Sequence, residues 1–244
     1  MPRLPKELTE LIEIKNLILP IYEEFMLLIR EYLEEHEDSE AELKKGVFYY
    51  FCVKAYQTLN AILLLIEMHH INDAYILLRS LFEVQLTNRY IYFDIPSRLN
   101  KFLNFGWIDS KRRIENGMFR VDKEQEEEIY KNYEKYKNEY KNKSHWESIK
   151  VMAKNKEVNQ TVDFYTVYKY CSSLVHVNPL AQQNYFVQET DDKDVYRAFW
   201  TSLWYSLCVL DSVNDIFKLK LDKRLNEIGH MIEDYGKKHV LKII

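Results

Sequence analysis

Glycine and proline are scarce in this chain, five of each among 244 residues, and Gly46, Gly106, Gly117, Gly229 and Gly236 stand far apart. A β-sandwich or a doubly wound sheet spends many more of both at its turns. A chain so poor in turn formers can reverse direction only a few times, so long helices are the economical solution. At this length it can bury roughly 70–75% of the surface exposed by its unfolded form, and it needs no covalent staples. The three cysteines, Cys52, Cys171 and Cys208, are unclustered and lie in apolar surroundings. They read as free buried thiols, with neither a disulfide framework nor a zinc signature.

The apolar pattern divides the sequence into about eight helices, an all-α bundle expected to form a single helical domain over residues 1–244. Leu8, Leu11, Ile12, Ile18, Phe25, Leu28, Ile29 and Tyr32 recur at helical spacing, with Pro20 expected to kink or split the helix. Ser39-Glu40-Ala41-Glu42 is a capping box opening a second helix that should run to about His70. Asn72-Asp73 starts a third, Ala74 to about Phe93, and Pro96-Ser97 a fourth reaching Gly117. Asp122-Lys123-Glu124-Gln125 caps a polar helix to about Lys143, with Glu127→Lys131 and Glu139→Lys143 at the favourable offset. A short helix at Trp146–Lys154 and a longer one from Val162 to His176 come next. After a loop over residues 180–189, a final helix pair occupies roughly residues 192–238.

The third helix is apolar nearly all round, which marks a central helix. Arg79 and Glu83 share one face of it with Tyr75, Phe82, Leu86 and Tyr90, so both charges are expected inside the bundle, each needing a partner. Tyr165, Lys169, Ser172 and His176 share a face of the helix ending at His176, while Phe164, Val167, Cys171 and Leu174 form its core side. In the penultimate helix Asp211 follows Trp200, Trp204 and Leu207 on one stripe. Buried polar groups tend to meet, so Arg79, Glu83, His176 and Asp211 are expected to converge, with Tyr165 and Tyr168 in support.

Two readings fit each of these residues. Arg79 with Glu83 is either an ion pair fixing the central helix or an anion-binding arginine held by its carboxylate. His176 is either a hydrogen-bonded imidazole near a helix C-terminus or a general acid–base beside Ser172 and Lys169. Ser172 as nucleophile lacks an evident oxyanion hole. Glu67-x-x-His70 and Glu227-x-x-His230 carry the spacing of di-iron ligands in ferritin-like bundles, but no further bridging carboxylates accompany them. The expectation is therefore no metal and no cofactor. Tyr130, Tyr133, Tyr136 and Tyr140 form a stripe read as the dry side of an amphipathic helix, with base stacking as the alternative.

Leu78-Arg79-Ser80-Leu81-Phe82-Glu83, following Asn72-Asp73-Ala74, resembles the signature of the bacterial domain of unknown function 5677 family. Tyr168-x3-Ser172-x3-His176, with Trp146 upstream, resembles that family's second signature. The resemblance spans about residues 47–179 and implies an all-α fold of uncharacterised activity. More loosely, long helices with a histidine near one end are similar to the HEPN superfamily, many of whose members are ribonucleases in toxin–antitoxin and phage-defence systems. That motif is an arginine, four to six residues, then the histidine. Lys169 stands seven before His176, and no arginine occupies the interval.

The formal charge of −4 argues against a general nucleic-acid coat, though it leaves room for a local RNA-binding groove. The wholly apolar run Ala61 to Ile66 is too short for a membrane span, and the N-terminus lacks the apolar region of a signal peptide. A cytoplasmic location is the expectation, with a homodimer or another protein as partner. The functions in view are a metal-independent ribonuclease-like protein of the defence or toxin type, an interaction module, and a metal carboxylate bundle.

Overall fold

The computed structural model describes residues 6–118, 120–141, 143–175 and 192–240, and among these residues there is no β-strand. Helix α1 (Lys6–Glu35) buries Leu11, Ile14, Ile18, Ile21, Tyr22, Phe25 and Ile29, a stripe at alternating three- and four-residue steps. It runs through Pro20 without a break, contrary to the expected split. Pro20 is exposed, on the face opposite the buried stripe, so the carbonyl it strands one turn earlier, at exposed Asn16, meets water.

The expected second helix divides into α2 (Glu40–Lys44) and α3 (Gly46–Glu67). Ser39 caps as anticipated, its Oγ accepting from the Glu42 N–H at 3.4 Å. The Glu42 carboxylate, however, accepts from Tyr32 at 2.7 Å and pairs with Lys45 at 2.6 Å, tying α2 to the end of α1. The chain restarts its helix at Gly46. By length and composition the stretch Glu40–Glu67 contains a window apolar enough to cross a membrane. Here its Phe48, Phe51, Cys52, Ala55, Leu59 and Ile62 are packed into the core.

Helix α4 (Ile71–Tyr92) is the central element, packed against α3, against α10 (Asp192–Phe217) and against the segment that ends in α9 (Lys169–Val175). Tyr75, Leu78, Leu81, Phe82, Leu86 and Ile91 are buried around most of its circumference, as its apolar pattern predicts. α1 lies across α3 and α10, and α11 (Asp222–Tyr235) closes the bundle against α1 and α10.

Helices α5 (Asn100–Glu115) and α6 (Lys123–Tyr136) form a hairpin beside the bundle. Asp122 caps α6 by accepting from the Gln125 N–H at 2.8 Å. α6 ends earlier than expected, and Glu127 pairs with Lys123 at 3.9 Å rather than with Lys131. The tyrosine stripe lies on the α5 side: the Lys111 ammonium sits 4.2 Å from the Tyr133 ring centre, and buried Tyr140 donates to the Lys101 carbonyl at 2.8 Å. Trp146 is buried against Phe102 and Tyr90 ahead of α7 (Ile149–Lys154).

Residues 161–175 form one helical stretch from α8 (Thr161–Asp163) to α9, interrupted by a π turn at Phe164–Tyr168. A π turn accommodates an extra residue and rotates the downstream side chains relative to a regular helix. It stacks Phe164 on Tyr168, centroids 5.4 Å apart, and aims Tyr168 at α4.

Candidate functional site

Arg79 and Glu83 stand one turn apart on α4, and the Arg79 Nε donates to Glu83 Oε1 at 3.1 Å. Their side chains are 25% and 38% exposed, so they line the rim of the bundle and not its interior. The correction has a simple cause: Tyr75, Phe82 and Leu86 take the buried positions around them, and both charged heads reach outward from apolar stems. The partner that joins them from a distant part of the sequence is Tyr168. Arg79 Nη2 donates to its hydroxyl at 3.2 Å, and the guanidinium carbon lies 5.0 Å from its ring centre. The Tyr168 ring also packs on Phe82, 5.7 Å away.

Burial works against the Arg79 cation, while Tyr168 and Glu83 more than offset it, raising its pKa above the ordinary arginine value. A guanidinium carries five N–H donors in a planar fork. Glu83 and Tyr168 take one each, from Nε and Nη2. The remaining donors are held in a fixed orientation at a partly open surface. Such a group is preorganised for a tetrahedral or planar oxyanion.

The other residues expected at this place are distributed differently. Ser172 donates its hydroxyl to the Tyr168 carbonyl at 2.6 Å, a bond within its own helix. Tyr165 and Lys169 are exposed: the Lys154 ammonium lies 5.9 Å from the Tyr165 ring, and the Lys169 ammonium 5.5 Å from the Phe164 ring. Phe164, Cys171 and Leu174 form the buried side, as their spacing predicts. His176 lies outside the described residues.

Asp211 does not join Arg79. It stands on the exposed edge of α10 in the company of Arg89, further along α4. Loss of hydration pushes its carboxyl above the ordinary range; Arg89 opposes that shift, and Asp215 and Asp222 add to it. Asp163 is also pushed up by burial, with Arg89 and Tyr205 acting in the opposite direction. The Tyr205 hydroxyl faces this carboxyl without closing a hydrogen bond of ordinary geometry. Sequence reasoning missed Arg89 and Asp163. The signal was faint: each is a single charge in an apolar stretch, and only the packing of α4, α8 and α10 brings them together.

The Glu-x-x-His pairs do not assemble. Glu67, His70, Glu227 and His230 are all exposed, and Glu67 pairs with Lys15 at 3.5 Å. Among the described residues no three histidine, cysteine or carboxylate side chains come close enough to share a metal ion. The thiols of Cys52, Cys171 and Cys208 are free, and burial pushes each up to about 12.

No curated protein and no solved structure matches this chain. The family model described as "Family of unknown function (DUF5677)" matches residues 45–194, a span that begins at the end of α2 and contains Arg79, Glu83, Trp146, Tyr168 and Ser172. That span is more than half of the chain, and the chain therefore belongs to the family of unknown function DUF5677.

Proposed function

We propose that Arg79 receives a phosphate of an RNA strand and that the protein is a metal-independent, ribonuclease-like member of its family, of the toxin or defence type. The observation that supports this reading is the Arg79 fork, oriented by Glu83 and Tyr168 with donors to spare at an open rim. His176 stands eight residues after Tyr168 in sequence and supplies an imidazole suited to general base work at neutral pH. It would take the proton from a ribose 2′-hydroxyl as that oxygen attacks the adjacent phosphorus. The P–O5′ bond breaks, the 5′-oxygen takes a proton from water, and the products are a 2′,3′-cyclic phosphate and a 5′-hydroxyl end. Arg79 would stabilise the charge gathering on the non-bridging oxygens.

The test is cleavage of mixed-sequence RNA in EDTA by the wild type, His176→Ala, Arg79→Ala and Tyr168→Phe, with melting curves as folding controls. Loss of the base should lower the rate by roughly 10²–10⁴-fold. Equal cleavage by wild type and His176→Ala, or none by either, ends the proposal.

A second reading, a homodimer or an antitoxin-like interaction module, is favoured by a different observation. Val162, Tyr165, Tyr170 and Val175 are large, apolar and exposed within the short stretch 161–175. Light scattering tests it. A monomer at all concentrations, unchanged by Tyr165→Glu and with no stable partner co-purifying, removes it.

A further inference from the structure

Helix α4 carries a second arginine whose setting differs from that of Arg79. Arg89 stands ten residues later, about 15 Å along the helix axis at 1.5 Å per residue. It reaches the floor of a groove of about 230 Å³ between α10 and α11. Trp204, Leu207 and Leu225 give this groove an apolar wall, and Asp211 and Glu233 stand exposed on its rim. Gly229 keeps the α11 side open, since a Cβ there would have Leu207 Cδ2 as its nearest neighbour, at 3.5 Å.

The fold does not use up this guanidinium. Its Nε is shielded from solvent and has no hydrogen-bond partner among the described residues. Asp163 and Asp211 act on it electrostatically, and the neutral Cys208 thiol is within hydrogen-bonding reach of it. The Phe93 ring centre is 5.6 Å from its guanidinium carbon. A shielded N–H without an acceptor is rare in a folded protein and requires an explanation. That Nε is out of a ligand's reach, but the two terminal nitrogens of the fork make no hydrogen bond among the described residues, and they are the donors that a ligand in the groove would meet.

We propose that the groove binds a small zwitterion of the amino-acid type. The ligand carboxylate accepts from the Arg89 fork at the floor, the ammonium rests between Asp211 and Glu233 at the rim, and the side chain lies along Trp204 and Leu207. The order of charges selects this class of ligand. A simple anion would reach Arg89 only past two carboxylates, and a simple cation would find the rim attractive but the floor repulsive. A ligand with both signs meets each with its opposite. The planar fork of arginine matches a carboxylate edge. The Glu233 carboxylate pairs with exposed Lys237 one turn on, at 3.5 Å, a contact in water that an ammonium can displace. The volume lies below that of pockets for drug-sized ligands, which suits one amino acid and excludes a nucleotide.

The inference does not depend on RNA cleavage, and its test reads binding alone. The purified full chain is screened by thermal melting against each of the twenty free amino acids. Every hit is then measured by titration calorimetry beside its N-acetyl derivative and its α-amide. The expected result is stabilisation by an amino acid with a large apolar or aromatic side chain. Acetylation and amidation should each weaken binding by roughly tenfold or more, the loss expected for one charge-assisted contact. Arg89→Lys keeps the charge but loses the fork, and should weaken binding comparably. If that variant folds poorly, Gly229→Met decides, because it fills the groove and leaves every charged group in place. Failure of all twenty to stabilise the protein, undiminished binding of either derivative, or undiminished binding to Gly229→Met overturns the proposal.

Discussion

Replacing Gly236 with alanine sets helix propensity against packing, and the two disagree in sign. Gly236 ends α11 at φ −56° and ψ −46°, a right-handed helical backbone that alanine adopts without strain. Propensity and reduced unfolded-state freedom alone would make alanine more stable by about 0.4–1 kcal/mol. The structure predicts the opposite. A Cβ at this buried position would stand 2.8 Å from Trp200 Cζ2 and 2.9 Å from its Cε2 and Nε1. These are atoms of a rigid indole, which is itself held by the Nε1 hydrogen bond to the Ile232 carbonyl at 2.8 Å. Overpacking costs about 1–3 kcal/mol, and disturbing the indole hydrogen bond about 0.5–1.5 more. After the propensity gain is subtracted, the net loss is about 0.5–4 kcal/mol, or roughly 1–16 °C in melting temperature for a chain of this size. Urea unfolding monitored by circular dichroism measures it. Gly106→Ala provides the control: Gly106 is exposed in α5 with nothing within 4 Å of its would-be Cβ, and alanine there should add roughly 0.5–1 kcal/mol. In a Trp200→Leu background, where the clashing atoms are gone, the alanine at 236 should become neutral or stabilising. Equal or greater stability of Gly236→Ala in the wild-type background, or an unchanged loss beside Leu at 200, refutes the reasoning.

Two further predictions concern the interior. Asp163 has its pKa raised by burial, so its favourable contribution is complete below the unfolded carboxyl value and is lost as pH rises through the higher folded value. Asp163→Asn cannot ionise and should gain stability over the wild type as pH goes from 4 to 7 (about the unfolded Asp pKa to neutrality); unfolding curves with parallel pH dependence would contradict this. Buried Gln160 donates to Gln85 at 2.9 Å, while Gln85 Nε2 and Gln160 Oε1 have no partner among the described residues. Either Gln→Leu variant alone should lose about 1–3 kcal/mol by orphaning the remaining amide, and the double variant should recover much of that loss. Strict additivity in a double-mutant cycle would exclude the coupling.

Much of the bundle was legible in the residues because helix formation is local. The stripes of α1 and α4, the Asp122 cap and the Ser39 cap each depend on side chains within a few positions of one another. The Arg79–Glu83 contact was legible for the same reason, being fixed by a separation of four residues. Where expectation and structure part, a contact from elsewhere in the chain intervenes. Tyr32 and Lys45 claim Glu42, and α3 begins anew. Pro20 faces solvent, and α1 continues.

The sequence by itself determined that this chain is all-helical, where most of its helices begin, and which of their faces are apolar. It did not determine which faces meet. The π turn at Phe164–Tyr168 aims Tyr168 at Arg79, and the packing of α4 on α10 brings Arg89 into the field of Asp163 and Asp211 while leaving Arg79 elsewhere. A repeat of 3.6 residues sets directions around one helix axis, whereas the pairing of charges across helices depends on how whole helices pack together, and that is a property of the assembled core.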